Sequence, residues 1–413
     1  MIAPSGRDSV ARKQSGPSAR FQRQRERIVD VAVTLLNQKG VRGMTLLEVA
    51  QSLDLTTTSL TYYFRYKEQL AAAVFEDSLT RLAALAKEAG EAATPKARVA
   101  RYLELYFDHF ARSLRGEVRP FAILSEIRAL EDATSRPLVA QYQAIFRDVR
   151  AFFGEVDTQE RKLHFTARAQ LLNEALFWSA IWLAHYAVGD FDNVRRRMFY
   201  ILEHGVAAAG CEWRPTPIDP DESLEASGNS AFLRVATRLI NDTGYRGASV
   251  DRIMAELNLT KGSFYHHLDA KDDLILECFL DSYRRLKRLQ ILADRRGDSV
   301  WQDLSTGIAS ALTAQFDGEY PLLRTTALQA MPASLREVAV KQTNRTANWL
   351  TGRLVEGMQE GSLRLVDPVI ASHIIMSTIN SAYDVRNWAK RQGCAKAIRT
   401  YAKALMNGVF DEV

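Results

Sequence analysis

The segment "TKGSFYHHLDAKDDL" at residues 260–274 has a counterpart earlier in the chain, "TTTSLTYYFRYKEQL" at residues 56–70. Both segments are rich in hydroxyl and ring side chains, and both end in a lysine followed three residues later by a leucine. The wider stretches 40–70 and 244–274 align without a gap at an offset of 204 residues, about half of the 413-residue chain. An offset of this size indicates an internal repeat.

The repeat extends beyond the two quoted segments. The pairs identical at the offset of 204 include Gly40/Gly244, Arg42/Arg246, Gly43/Gly247, Leu53/Leu257, Leu55/Leu259, Thr56/Thr260, Ser59/Ser263, Lys67/Lys271, Leu70/Leu274, Ala32/Ala236, Leu35/Leu239 and Asn37/Asn241. Near the end of each half, "ILEHGV" (201–206) resembles "ALMNGV" (404–409). The sequence therefore predicts duplication of a whole unit of roughly 200 residues.

Apolar residues recur at helical spacing in both copies, as in Phe232, Ala236, Leu239 and Ile240. Gly40 and Gly244 stand where a helix should end. Thr45 opens "TLLE", a capping-box pattern, and Ser249 opens "SVDR", a good helix start. Because alternating strand-like patterns are scarce, we expect an all-α fold of two tandem units.

Composition and charge divide the chain further. The predicted boundaries are a disordered basic tail at 1–22, a small helical head at 23–83, a helical body at 84–210, a linker at 211–228, a second head at 229–286 and a second body at 287–413. The linker contains Pro215, Pro217 and Pro220, which oppose helix formation.

Residues 45–64 and 249–268 each have the spacing of a helix–turn–helix. The second helix of each pair is short and crowded with Thr, Ser, Tyr and His. A helix that packs into a core would not expose so many polar groups. A helix that contacts phosphates and base edges would, because hydroxyls and imidazoles hydrogen-bond to both.

With these residues, each half resembles a TetR-family transcriptional regulator. "GSFYHHLDAKDDL" matches the family's head pattern at Gly262, Ser263, Phe264, Tyr265, Lys271 and Leu274, with Leu268 in place of the usual Phe. "TSLTYYFRYKEQL" matches at Ser59, Leu60, Phe64, Lys67 and Leu70, and departs at Thr58 and Thr61. The resemblance covers about 60 residues per half strongly and the rest as a helical bundle.

The resemblance implies which residues contact DNA. Phosphate contacts are implied for Tyr265, Lys271 and Lys67, and for Thr61 less directly, because Tyr is common there. The predicted DNA-binding set also includes the two caps and the exposed residues of both short helices: Thr45, Thr56, Thr57, Ser59, Tyr62, Tyr63, Ser249, Thr260, Lys261, Gly262, Ser263, His266 and His267.

The two short helices differ in sequence, "TTSLTYY" against "KGSFYHH". A symmetric dimer binds a palindromic operator. Because the two short helices of this chain differ, we expect an operator with two unequal half-sites. The basic residues of the N-terminal arm track phosphate, enter the minor groove or remain a solvated tail. They are Arg12, Lys13, Arg20, Arg23, Arg25 and Arg27.

In the family, as the resemblance implies, bodies pair through two late helices and enclose an inducer pocket. The resemblance then gives two roles for an apolar stripe of the first body: it forms the pairing surface, or it lines a ligand pocket. A third possibility is that it only fills the hydrophobic core of the body. The stripe contains Trp178, Trp182 and His185. A linker of roughly 20 residues spans at most about 60 Å. We therefore expect the two halves to pair within one chain as a pseudo-dimer, with further homodimerisation left open.

Two alternatives to a DNA-binding repressor remain. One is a ligand-binding or protein-interaction module with a degenerate first head, which the departures at Thr58 and Thr61 favour. The other is a helical enzyme, although the usual catalytic motifs are absent from the sequence. No cofactor, metal site, membrane span or secretory signal is predicted, and the three cysteines read as free thiols of a cytoplasmic protein.

Overall fold

The computed structural model describes residues 19–216, 218, 230–258, 271–294, 297–317, 319–324 and 333–411. Within these ranges the chain is helical, apart from turns, loops and one isolated antiparallel bridge between Ala207 and Leu363. No helix in the described part is long and apolar enough to cross a membrane.

The first half contains eight α-helices in the described residues. They are α1 (Ala19–Gly43), α2 (Leu46–Gln51), α3 (Thr57–Thr61), α4 (Lys67–Gly90), α5 (Pro95–Leu114), α6 (Asp132–Ala151), α7 (Gln159–Trp182) and α8 (Phe191–His204). A 3₁₀ segment, Leu124–Ala129, precedes α6. Helix α1 begins at Ala19, inside the segment predicted as a tail, and its Phe21 is held by ring contacts with Tyr63.

The described helices of the second half are α9 (Ser230–Gly247), α10 (Val250–Leu257), α11 (Lys271–Ala293), α12 (Val300–Asp317), α13 (Ala333–Glu360), α14 (Pro368–Ser381), α15 (Arg386–Gln392) and α16 (Cys394–Asn407). Helices α9 and α10 correspond to α1 and α2, α11–α14 correspond to α4–α7, and α16 corresponds to α8. Helix α15 has no α-helical counterpart in the first half. The all-α fold and its tandem repeat, expected from the sequence, are therefore confirmed.

The two copies have nearly the same backbone angles at corresponding residues. Gly40 has φ 70° and ψ 169°, and Gly244, 204 residues later, has φ 72° and ψ 169°. Asp54 and Asn258, at the same offset, both adopt the left-handed region, with φ of 55° and 53°. The kink at each glycine and the turn at each short polar residue give the two heads the same path from their first to their second helix.

The two bodies pack on each other through their late helices. Helix α7 of the first half lies against α14 and α16 of the second, and α8 contacts the same two helices. Buried apolar residues of the first half and of the second body belong to one continuous cluster, whereas the second head has a cluster of its own. The halves therefore share a core instead of touching only through surface side chains.

The ends of α8 and α16 meet at two glycines in corresponding positions. The amides of Val206 and Ala207 donate to the carbonyls of Leu405 and Met406, at 3.2 and 3.1 Å. The amide of Val409 donates to the carbonyl of Leu202 at 2.7 Å. A Cβ on Gly205 would lie 2.0 Å from the Met406 oxygen, and one on Gly408 would lie 2.2 Å from the Glu203 oxygen. Only glycine fits at either position.

The first part of the predicted linker is ordered along the second body. The indole Nε1 of Trp301 donates to the carbonyl of Glu212 at 3.1 Å, and the amide of Thr216 donates to Thr306 at 2.9 Å. Ile218 is buried. Residues 217 and 219–229 lie outside the described residues.

Replacing Gly205 with alanine should destabilise the protein more than the same change at Gly116, which has a similar φ of 72° but no atom within 4 Å of the added Cβ. Gly116→Ala should cost about 1–2 kcal/mol from left-handed strain alone. Gly205→Ala should cost a further 1–3 kcal/mol, roughly, because the methyl group meets backbone. Urea unfolding of both variants measures the difference. Equal losses would contradict the close approach of the two helix ends.

Candidate nucleic-acid interface

Helix α2 of the first head begins with a complete capping box. The Thr45 hydroxyl accepts from the Glu48 amide at 3.2 Å, and the Glu48 carboxylate accepts from the Thr45 amide at the same distance. Lys39 donates to Glu48 at 2.6 Å, and hydrogen bonds from Lys39 and then Thr45 lower the pKa of this carboxyl. Thr45, a predicted DNA contact, is exposed but already serves as the cap that orients α2.

The short helix α3 is held by its own cap. The Thr56 hydroxyl accepts from the Ser59 amide at 3.1 Å and lies 2.8 Å from the Ser59 hydroxyl. Thr57, Thr58 and Ser59 are exposed on the outside of the helix. An isolated five-residue helix is unstable in water, so this cap and the buried Leu60 must hold it in place.

An aromatic cluster continues the exposed face beyond α3. The ring of Phe21 stacks on Tyr63 with centroids 4.8 Å apart, and Tyr62 meets both rings edge-on. Tyr62 is 74% exposed, whereas Tyr63 is half-buried. Of the two tyrosines predicted to contact DNA, Tyr62 is therefore the one whose ring is exposed to solvent.

Lys67 begins α4 next to this face. Its ammonium donates to the carbonyl of Arg42 at 3.0 Å, which ties the start of α4 to the end of α1. Thr61 donates its hydroxyl to the carbonyl of Thr58 at 2.8 Å, within its own helix. The first head therefore has Thr56, Thr57, Ser59 and Tyr62 exposed on and next to α3, with Lys67 at the start of the following helix.

The second head is described only in part. Ser249 caps α10 by accepting from the Arg252 amide at 3.2 Å. Seven predicted contacts lie outside the described residues: Thr260, Lys261, Gly262, Ser263, Tyr265, His266 and His267. Lys271 begins α11, but its side chain is also outside the description.

Each head is fastened to its body by the same three side chains, which we call the latch: Asn37, Ser78 and Arg81 in the first half. The Asn37 side chain donates to the carbonyl of Phe121 at 2.9 Å and accepts from the amide of Ile123 at 3.0 Å. Ser78 accepts from the next amide, Ala122, at 2.9 Å. Three consecutive backbone units of the body are thus bonded to head helices.

The latch recurs in the second half at the offset of 204, as Asn241, Ser282 and Arg285. Asn241 donates to the carbonyl of Leu322 and accepts from the amide of Arg324, both at 3.0 Å. Ser282 accepts from the amide of Leu323 at 2.8 Å. Arg81 and Arg285 each donate to two carbonyls of the same body segment.

One position next to the latch differs between the halves. Arg119 forms ion pairs with Glu26, Asp30 and Asp77, at 2.7, 2.6 and 2.9 Å. Tyr320 takes its place in the second half. It donates to Asp281 at 2.7 Å, and the Arg285 guanidinium lies 3.7 Å from its ring centroid. The first head is thus joined to its body by charge pairing, and the second by an aromatic ring between cations.

The 3₁₀ segment Leu124–Ala129 contacts both heads. The carboxylate of Glu126 accepts from the amide of Val41 in the first head at 3.0 Å. Arg128 donates to the carbonyl of Asn241 in the second head at 3.4 Å and pairs with Asp384 at 3.1 Å. A single segment of the first body therefore lies between the two heads.

Comparison with known proteins agrees with this geometry. The family model described as bacterial regulatory proteins of the tetR family matches residues 28–74 and 232–278, which are the two latched heads. The chain is a tandem TetR-family regulator. TetR-family regulators bind DNA and usually dimerise.

Each relative covers less than half of the chain. The HTH-type transcriptional repressor KstR2 of Rhodococcus jostii (strain RHA1) is 26% identical over 223 residues, 48% of this chain and 96% of the relative. Two solved regulators cover 43% of the chain each. They are PfmR from Thermus thermophilus (22% identity, 94% of that chain, TM-score 0.35) and a TetR/AcrR-family regulator from Thermobifida fusca (19%, 96%, 0.29).

Of the three residues predicted as either pairing face or pocket wall, Trp182 and His185 lie near His373 of the second half of this TetR-family chain. The buried indole of Trp182 stacks on His373 of the second half, with centroids 5.5 Å apart and planes 8° from parallel. Trp178 is buried on the same helix, and His185 follows its end. Burial, with a smaller effect of nearby His185, lowers the pKa of His373 to about 4, so its ring is neutral at pH 7.

The described residues of this TetR-family chain contain no group of three His, Cys, Asp or Glu side chains placed to hold a metal ion. The sequence analysis missed three residues: Phe21 of the aromatic cluster, and Ser78 and Arg81 of the latch. Ser78 and Arg81 were detectable, because Ser78/Ser282 and Arg81/Arg285 are identical at the same offset as the other pairs. Phe21 was assigned to the tail, where nothing in the local pattern indicated its contact with Tyr63.

Replacing Thr56 with alanine should lower the free energy of unfolding of the first head by about 1 kcal/mol, because the cap of α3 is lost. The neighbouring change Thr57→Ala should leave stability within roughly 0.5 kcal/mol, since an exposed residue that does not cap the helix is replaced. Both changes should weaken DNA binding, and thermal unfolding separates the two causes. If Thr57→Ala lost as much stability as Thr56→Ala, the capping role would be contradicted.

Proposed function

We propose that this TetR-family chain is a repressor that binds one operator with two unequal half-sites and is released by a small-molecule inducer. The observation that supports this most is the presence of two latched heads on bodies that share one core. A dimer of identical subunits supplies two heads by association, whereas this chain carries both covalently.

The two half-sites are expected to be unequal because the two heads present different residues to DNA. The first head exposes Thr57, Ser59 and Tyr62, while the corresponding positions of the second head are Lys261, Ser263 and His266. An ammonium and an imidazole donate hydrogen bonds to guanine acceptors, whereas a hydroxyl binds either base type. The two heads should therefore prefer different bases.

Internal pairing is favoured by the linker and by the core between the bodies. A tether of this length gives an effective concentration on the order of millimolar. Association of separate chains through the same surface would have to compete with contacts that are already made within each chain. We therefore propose a pseudo-dimer as the DNA-binding unit, with residues 23–83 and 229–286 as its heads and 84–210 and 287–413 as its bodies.

Repression rests on a relative, whereas release by an inducer is our own extension. KstR2 is named a repressor, and its similarity spans 96% of its own length. An inducer acts only if it binds the DNA-competent state less tightly than another state. In this chain it would act by shifting the bodies, and with them the latched heads.

An alternative is a module in which the first head no longer binds DNA. The hydroxyl of Thr61, where the family has Tyr, is bonded to the carbonyl of Thr58, which favours this reading. Exchanging each half-site of a footprinted operator for random sequence separates the two. If both heads bind DNA, replacing either half-site lowers the affinity of the protein for the operator. If the first head is degenerate, only one of the two replacements lowers it.

Replacing Lys67 and Lys271 with alanine should weaken binding to all duplexes, with or without the operator sequence. Each lysine is proposed to contact a backbone phosphate. Loss of one such contact reduces the salt slope of the binding constant by about 1. Fluorescence anisotropy at several salt concentrations measures both quantities.

Lys87→Ala is the matched control, because Lys87 is exposed near the other end of the helix that Lys67 begins. Since Lys67 also donates to Arg42, thermal unfolding is measured in parallel. A double variant that is folded and has unchanged affinity and salt slope would contradict the phosphate contacts.

A further inference from the structure

Each head is bonded to the opposite body as well as to its own. Arg128 of the first body donates to the carbonyl of Asn241, on α9 of the second head, at 3.4 Å. Arg336 of the second body, on α13, donates to the carbonyl of Gln38, on α1 of the first head, at 3.5 Å. We call these two hydrogen bonds the cross-braces. They run from one half to the other, whereas each latch stays within its own half.

The two cross-braces reach equivalent places in the duplicated heads. Gln38 lies two residues before Gly40, and Asn241 lies three residues before Gly244, where the first helix of each head is kinked. Carbonyls in the last turn of a helical stretch lack partners within it. A guanidinium at this end satisfies such a carbonyl and interacts favourably with the helix dipole. Both cross-braces are therefore favourable for the same reason.

The cross-brace at Arg128 is supported by a buried ion pair. The Arg128 guanidinium also pairs with Asp384 of the second body, at 3.1 Å. Asp384 pairs in turn with Arg324, whose side chain is only 4% exposed. The backbone of Arg324 belongs to the second latch, because its amide donates to Asn241. Since a buried guanidinium requires a carboxylate partner, Asp384 is held in place and holds Arg128 against the second head.

The residue before Asp384 bonds to the second head directly. The hydroxyl of Tyr383 donates to Asp242 at 2.8 Å, and Arg386 donates to the same carboxylate oxygen at 2.7 Å. The short 3₁₀ segment Ala382–Val385 of the second body therefore contacts the second head through one residue and the first body through the next. Both bodies and the second head meet at this point.

The first head is joined to the segment that carries Arg128 at its own kink. Glu126 accepts from the amide of Val41, the residue after Gly40, at 3.0 Å. A Cβ on Gly40 would lie 2.7 Å from that carboxylate oxygen, so glycine permits the approach. Glu126 and Arg128 are next-but-one neighbours in the 3₁₀ segment Leu124–Ala129. This segment therefore sets how far the end of α1 lies from the end of α9.

We propose that the cross-braces are positioning contacts that fix the separation of the heads and make this chain selective for the length of DNA between its two half-sites. This inference rests on the proposed binding of one operator by both heads. It adds the residues that set the spacing, which are Arg128 and Arg336, with Asp384 in support. One added base pair moves a half-site by about 3.4 Å and turns it by roughly 35°. Heads that are held at a fixed separation cannot follow such a change.

Operators whose central spacer is shortened or lengthened by one base pair test the proposal. The unaltered chain should bind each changed operator about tenfold more weakly, because the DNA must deform to reach both heads. Arg128→Met with Arg336→Met removes both donors and keeps side chains of similar length. In this double variant the loss should fall to about threefold or less, because the heads can then move instead of the DNA. Fluorescence anisotropy gives the ratio of affinities, and an unchanged ratio would overturn the proposal.

Two single variants show whether the effect belongs to the cross-brace. Arg136→Met is the matched control, because Arg136 pairs with Asp132 on the surface of α6 and both side chains are mostly exposed. It should discriminate between spacers as the unaltered chain does. Arg128→Lys keeps a positive charge and should discriminate more strongly than Arg128→Met. Both Arg128 variants should fold, because Asp384 retains Arg324 as a partner. Loss of discrimination in the control, or equal loss in both Arg128 variants, would contradict the proposal.

Spin labels on the two heads test the cross-braces without DNA. Gln51→Cys and Ala255→Cys place labels at exposed, corresponding positions of α2 and α10. Cys211 and Cys394 are replaced with serine, and Cys278 is buried. Double electron–electron resonance should give a distance distribution about twice as wide in the double variant as in the braced chain, because the heads sample more positions. Equal widths would overturn the proposal.

The two measurements separate this inference from the proposed function. If the chain bound no operator but the distance distribution widened in the double variant, the proposed function would fail while the cross-braces stood as the contacts that hold the heads. If both forms bound the operator with the same preference for spacer length, the cross-braces would fail while the proposed function stood.

Discussion

The crossing of two helix ends at Gly205 and Gly408 is the contact on which the arrangement of the halves depends. A carbonyl of the opposite half occupies the place of each missing Cβ, so the backbones are in direct contact. Helix α7 then lies against α14 and α16, and one apolar cluster runs through both bodies. The pairing of the halves is built into the core of the chain.

The position of the heads follows from that core through the latches. Each latch bonds three consecutive backbone units of a body to two head helices, so a head cannot shift without its body segment. The segment Leu124–Ala129 adds a direct route between the heads through Glu126 and Arg128. We therefore expect a change in the contact between the bodies to reach both heads, although Arg119 and Tyr320 couple them by different chemistry.

The heads could be predicted from sequence because the relevant signals are local. The capping box at Thr45, the cap at Ser249 and the kinks at Gly40 and Gly244 each depend on a few neighbouring residues. The duplication strengthened these signals, since a helix cap and a glycine kink appear at matching positions in both copies. The register of the two copies was sufficient by itself to predict two tandem units.

Long-range contacts could not be predicted in this way. Arg119 lies 89 residues from Asp30, and no local pattern relates the two. The stripe that contains Trp182 was visibly apolar, but hydrophobicity does not show which surface covers it.

Native mass spectrometry of the chain on a footprinted operator duplex, at nanomolar protein, tests the central claim most directly. The account predicts a complex that contains one chain of 46.5 kDa per duplex, with protection of both half-sites. Two chains on each duplex, with no detectable complex of one chain, would contradict the claim that the two halves act as partners within a single polypeptide.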